Sequence, residues 1–181
     1  MVSLPVLQQP VIDAVDIRSV AEFYRELLGL HYRAGDELAD GREPDSADWL
    51  VLLDDDGRRV LTFQRTEELK PSTWPSPEVP MQLHLDFTVP DRESLDAAHD
   101  HALHLGGRLI LDRSDDEDEP LYVFADPAGH PFCVFVGGAR QTAGVVSRTC
   151  RRQEAGSVPS VRSSGDPATH RSTHVPVHDR R

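Results

Sequence analysis

His84 and Asp86 stand two residues apart in a run that alternates apolar and polar side chains. Met81, Leu83, Leu85, Phe87 and Val89 are apolar, while Gln82, His84, Asp86 and Thr88 are polar. A strand turns successive side chains to opposite faces, so this pattern predicts a half-buried strand presenting an imidazole and a carboxylate together. The same alternation groups Gln9, Val11 and Asp13, then Leu61, Phe63 and Arg65, then Cys133 with Phe135. Asp13 and Asp86 would make a general acid/base pair if they faced each other, because like charges in a half-buried site raise one pKa into a useful range. Arg65 would clamp a carboxylate or phosphate on a ligand. His84 reads either as a neutral imidazole bonded to Asp86 or a neighbouring strand, or as a ligand contact. Cys133 reads as a small buried residue.

Other groups carry less chemistry. His99, His101 and His104 fall on a predicted helix and read as a solvated face. The acidic run 115–119 reads as a loop. His170, His174 and His178 recur every four residues, but Pro176 interrupts any helix that would align them. No nucleophile elbow, phosphate loop or paired-cysteine motif is present.

Two halves of the chain repeat the elements that must position these groups. Gln9–Asp16 aligns with His84–Asp91 at an offset of 75, each a short strand ending in an Asp suited to cap a helix. Val20, Phe23, Tyr24, Leu27 and Leu28 then follow helical spacing up to Gly29. Leu95, Ala98, Ala102, Leu103 and Leu105 do so up to Gly106 and Gly107. Further on, Trp49–Gly57 leading into Val60–Gln64 matches Leu121–Gly129 leading into Phe132–Val136. Both read as strand, Asp/Gly turn, strand, now at an offset of 72. Each half is therefore β-α-β-β-β, with its second strand near 30–34 or 107–111. The proline-rich stretch 66–80 is the crossover between modules.

The charge is equally divided in kind. The 181 residues carry a formal charge of −12. Residues 1–138 hold 28 acidic and 11 basic side chains, whereas residues 139–181 hold 3 and 8. So acidic a body argues against a nucleic-acid partner. The tail, 139–181, has no aromatic residue and little Leu or Ile. It cannot bury enough apolar surface to offset its ordering entropy, so it reads as a disordered basic segment. No apolar run approaches the roughly 20 residues that span a bilayer. With two cysteines and no signal-peptide pattern, the expectation is a soluble, reduced, cytoplasmic protein without a membrane partner. The folded domain is expected over 1–138, as modules at about 5–66 and 81–137.

Two such half-repeats, with Asp126-Pro-Ala-Gly-His-Pro-Phe132 and Ala21-Glu-Phe-Tyr24 before Leu27-Leu-Gly29, resemble the vicinal oxygen chelate superfamily. That superfamily includes glyoxalase I, bleomycin-resistance proteins and extradiol dioxygenases. Leu61–Arg65, Pro71–Pro75 and His84–Asp86 are similar to its glyoxalase-like branch. The resemblance implies an α+β fold in which two βαβββ modules form a cupped eight-stranded mixed sheet with helices outside. It also implies metal ligands at Gln9, Leu61, His84 and Cys133, where the family usually carries His, Gln or Glu. Leu61 cannot ligate a metal, and Cys133 replaces the common Glu. Gln9, His84 and Cys133 therefore make up the metal candidates, for zinc, iron, nickel or manganese, with the thiolate favouring zinc.

In a cup, the polar strand faces become the cavity. Its expected lining is Gln9, Asp13, Leu61, Phe63, Arg65, His84, Asp86, Cys133 and Phe135, the mixed make-up of a small-molecule site. The leading expectation is a domain that binds a small organic ligand without glyoxalase I activity, with a homodimer as the family's usual assembly. The rival is a lyase, isomerase or dioxygenase of the same fold that uses a divalent ion. A third reading is a regulatory module whose basic tail docks on an acidic partner.

Overall fold

A computed structural model describes residues 4–38 and 46–137. The predicted tail lies outside them. The first module runs β1 (Val11–Ala14), α1 (Ile17–Leu28), β2 (His31–Tyr32), β3 (Trp49–Leu53) and β4 (Arg59–Arg65). The second runs β5 (Leu85–Val89), α2 (Arg92–His104), β6 (Arg108–Arg113), β7 (Leu121–Ala125) and β8 (Pro131–Val136). The eight strands form two four-stranded mixed sheets, ordered β1-β4-β3-β2 and β5-β8-β7-β6. In each, the module's first strand runs parallel to its last, and the other pairings are antiparallel.

Local chemistry starts and stops the helices as the spacing predicts. The Asp16 carboxylate accepts from the Ser19 amide at 3.0 Å, and Asp91 from Ser94 at 2.8 Å, each satisfying a helix-start donor. Gly29 ends α1 in the left-handed conformation, φ 65°, returning its N–H to the Arg25 carbonyl. Between these ends Ile17, Val20, Ala21, Phe23 and Tyr24 are buried.

That buried face joins the modules. The Tyr24 ring stacks on Phe63 of β4 at 5.9 Å and meets Phe132 of β8 edge-on at 6.1 Å. Phe23 meets Phe132 at 5.7 Å, and Phe87 and Phe124 close on the same ring. One core thus draws on both sheets. A polar contact crosses the same boundary. The Tyr24 hydroxyl donates to Asp126 Oδ2 at 3.2 Å, and both residues are buried. Burial holds the Asp126 carboxyl above its ordinary range and pushes the Tyr24 phenol well up.

The two hairpin turns are repeats at atomic detail. Asp126 Oδ1 accepts from the Ala128 and His130 amides at 2.9 Å each. Asp54 Oδ1 accepts from Asp56 and Arg58 at 3.0 and 2.8 Å. Beyond the turns the repeat breaks. β7 and β8 pair without interruption, but β3 and β4 slip between Leu52 and Leu53, leaving Val60 as an extra residue in β4. Such a bulge reverses the face of every side chain beyond it.

Candidate functional site

β5 and β8 lie side by side with Asp86 opposite Cys133 and Thr88 opposite Phe135. Leu85, Phe87, Phe132 and Val134 belong to the helix-side core. Asp86, Cys133 and Phe135 therefore share the other face. His84 precedes β5, just after a tight reversal in which the Leu83 amide bonds the Met81 carbonyl and Gln82 takes φ 57°. A positive φ at a non-glycine residue is strained, of order 1–3 kcal/mol, and it delivers His84 to the strand end.

His84 Nε2 lies 3.4 Å from Asp86 Oδ1. One ligand atom each from His84, Asp86 and Cys133 falls within 4.8 Å of the other two. In a tetrahedral zinc site with nitrogen and oxygen donors about 2.0–2.1 Å from the ion, those donors lie about 3.3 Å apart. The observed imidazole–carboxylate spacing suits such an edge. Three protein donors would leave a fourth position open on a bound zinc, the pattern of a catalytic rather than a structural site. The thiol and imidazole favour zinc, while manganese suits this set least. His84 and Asp86 are partly exposed and Cys133 is buried, so a cation held by the three would be reached from the outward side of the strands.

The expected lining divides in two. His84, Asp86, Cys133 and Phe135 stand on one face as the alternation predicts. Asp86, read as half of an acid/base pair, instead joins His84 and the thiol. Asp13 is exposed, and no hydrogen bond or ion pair joins it to Asp86 among the described residues; its backbone carbonyl is bonded by His130 Nε2 at 2.7 Å.

Leu61, Phe63 and Arg65 are not on the cavity face. Leu61 and Phe63 are buried in the core against α1. Arg65 holds the Ala47 carbonyl through Nε and Nη2 at 2.9 and 2.7 Å and pairs with Asp48 at 3.3 Å. The bulge at Val60 is the cause. Aligning the hairpins by their Asp turns sets Leu61 beside Cys133, yet the register sets Val11 opposite Thr62 and Asp86 opposite Cys133. Because Val11 and Asp86 correspond in the repeat, Thr62 is the true counterpart of Cys133, and Gln9 of His84.

The sequence does carry a signal for Thr62: Leu61-Thr62-Phe63-Gln64 alternates apolar and polar as clearly as Leu85–Thr88 does, although the match of the Asp/Gly turns points to Leu61 instead. The Thr62 hydroxyl and the Gln9 amide oxygen are the two buried side-chain polar atoms without a hydrogen-bond partner among the described residues. Each such atom costs about 1–3 kcal/mol.

His99 also departs from expectation. Its ring lies 4.6 Å from that of Tyr122 and 5.9 Å from that of Phe124, covering the core rather than facing solvent. No helix among the described residues is long and apolar enough to cross a membrane.

Comparison with known proteins agrees with this architecture. The chain resembles FosX, a fosfomycin resistance protein from Listeria monocytogenes, with 15% identity over 78% of this chain and 97% of that one, at a TM-score of 0.52. FosX from Mesorhizobium loti matches at 14% identity over 76% and 94%, TM-score 0.50. A hypothetical protein from S. aureus matches at 15% over 74% and 98%, also 0.50. Likeness at this identity speaks for the fold alone. No curated protein matches the sequence. A family model described as a glyoxalase-like domain matches residues 9–135, most of the chain, and the protein belongs to that family.

Proposed function

We propose that this glyoxalase-like domain binds a small organic molecule on the outward strand face of its second module, anchored by a divalent cation held by His84, Asp86 and Cys133. The approach of these three unlike donors to within 4.8 Å carries the reading. A cation there would act as a Lewis acid on a ligand oxygen at the open position. Asp86 would complete the donor set beside the imidazole, and Cys133, packed between the strands, would supply a donor that cannot swing away. We expect no glyoxalase I activity, because the first module offers Gln9 and Thr62 where the second offers His84 and Cys133.

The test is metal content by mass spectrometry on the full chain without an affinity tag, followed by titration calorimetry with Zn2+. One ion per chain, lost in His84→Ala while circular dichroism is unchanged, is the expected result. A wild-type chain that binds no Zn2+ after reduction and reconstitution refutes the cation and leaves a metal-free binding face. A His84→Ala chain that unfolds makes His84 structural.

A further inference from the structure

We infer that a cavity beneath the crossover, at the seam between the modules, is a second small-molecule site that takes a free α-amino acid by both its carboxylate and its ammonium group. None of the residues lining it belongs to the group of His84, Asp86 and Cys133, and the inference does not depend on a cation there.

The cavity measures about 170 Å3. β1 forms one wall, the crossover around Lys70 and Pro80 a second, and His130 with Pro131 at the start of β8 the third. Asp13, Lys70, Gln82 and Leu83 on these walls are exposed, so a solute reaches the cavity from solvent. Hydrogen bonds hold the walls in place. His130 Nε2 meets the Asp13 carbonyl at 2.7 Å; a carbonyl only accepts, so this nitrogen carries the proton and ties the β7–β8 turn to β1. In the crossover the Thr73 amide donates to the Val79 carbonyl at 3.0 Å, and the Val79 amide to Thr73 Oγ1 at 2.9 Å. That pair closes the excursion, so Lys70 before it and Pro80 after it return to the same cavity.

The charges define the ligand. Asp13 and Lys70 line one cavity with opposite sign, yet neither side chain has a hydrogen bond or ion pair among the described residues. They do not neutralise each other, and a molecule that carries both charges satisfies both: its ammonium group faces Asp13 and its carboxylate faces Lys70. A simple anion gains from Lys70 but is repelled by Asp13, and a simple cation meets the reverse. Val11, Leu69 and Met81 supply apolar wall between the charges, which suits a short aliphatic side chain. Gln82 adds a neutral amide that can bond either end. A water's share of liquid volume is about 30 Å3, so the cavity has room for about six waters, or for an amino acid of alanine's size.

The experiment is a two-dimensional NMR titration of the full chain at neutral pH, constant ionic strength and with EDTA present. Lys70 is the one lysine of the chain, so its Hε–Cε signal reports the carboxylate end, and the Asp13 backbone amide reports the other. L-alanine is added to about 50 mM, because two exposed ion pairs support millimolar affinity. It should shift both signals. Propionate and ethylamine each keep one of its charges and should bind about three- to fivefold more weakly. Asp13→Asn and Lys70→Gln should weaken alanine by a similar factor, read at the charged residue that remains. Both positions are exposed, so the variants should melt as the wild type does. No shift with alanine, an equal response to propionate or to ethylamine, or an unchanged response in either variant overturns the inference. EDTA keeps alanine from reporting on a bound cation, so failure of the cation proposal and failure of this site are read separately.

Discussion

Tyr24→Phe removes one oxygen and leaves the ring that packs the shared core. The ring contacts with Phe63, Phe132 and Phe87 persist, so the cost isolates the hydroxyl. That hydroxyl is the donor to Asp126 Oδ2 across the module boundary. Oδ1 retains the Ala128 and His130 amides, whereas Oδ2 is stranded in a residue only 4% exposed. Hydrogen bonds to charged groups are worth about 1.5–3 kcal/mol, so a loss of about 2 kcal/mol at pH 7 is expected, or about 6–10 °C in Tm for a domain of this size. The pH dependence gives the sharper signature. Burial raises the folded Asp126 pKa, so the folded state holds a proton that the unfolded chain has released. Stability then falls as pH rises from the ordinary carboxylate range through the raised value. The Tyr24 hydroxyl favours the charged form and limits that fall. In Tyr24→Phe the fall is steeper, so the deficit grows as pH rises through the raised Asp126 value. Urea unfolding at pH 4, 5.5 and 7 measures it. A deficit that is constant with pH, or below about 0.5 kcal/mol at pH 7, refutes the role assigned to this contact.

Two further substitutions test other parts of the reading. Cys133→Ser should fold as the wild type does and lower Zn2+ affinity by at least about tenfold, since the soft donor is lost; calorimetry that finds unchanged affinity removes the thiol from the donor set. Gly129→Ala should lower Tm by several degrees, because the new Cβ would fall 2.5 Å from the Pro71 Cβ and the residue sits at φ 93°. A neutral effect there would mean that the crossover is free to move away from the β7–β8 turn.

The sequence by itself determined the modules. Asp16 and Asp91 cap helices, Gly29 ends one, and Asp54 and Asp126 build matching turns, because each acts through backbone groups only a few residues away. Strand alternation placed His84, Asp86, Cys133 and Phe135 on one face for the same reason. β2 and β6 were legible to within a few residues, as His31–Tyr32 and Arg108–Arg113. What needed tertiary structure was everything that depends on register between strands. A single bulged residue, Val60, sends Leu61 and Phe63 into the core and brings Thr62 to the position that the turn alignment assigns to Leu61. The grouping of Asp86 with the imidazole and thiol, rather than with Asp13, came from the pairing of β5 with β8. Arg65 bonds the Ala47 carbonyl and pairs with Asp48, and His99 packs on Tyr122, partners distant in sequence that local spacing does not reveal. Local hydrogen bonds are written in short spacings, whereas the face a side chain presents to a partner strand is decided only when the two strands are laid together.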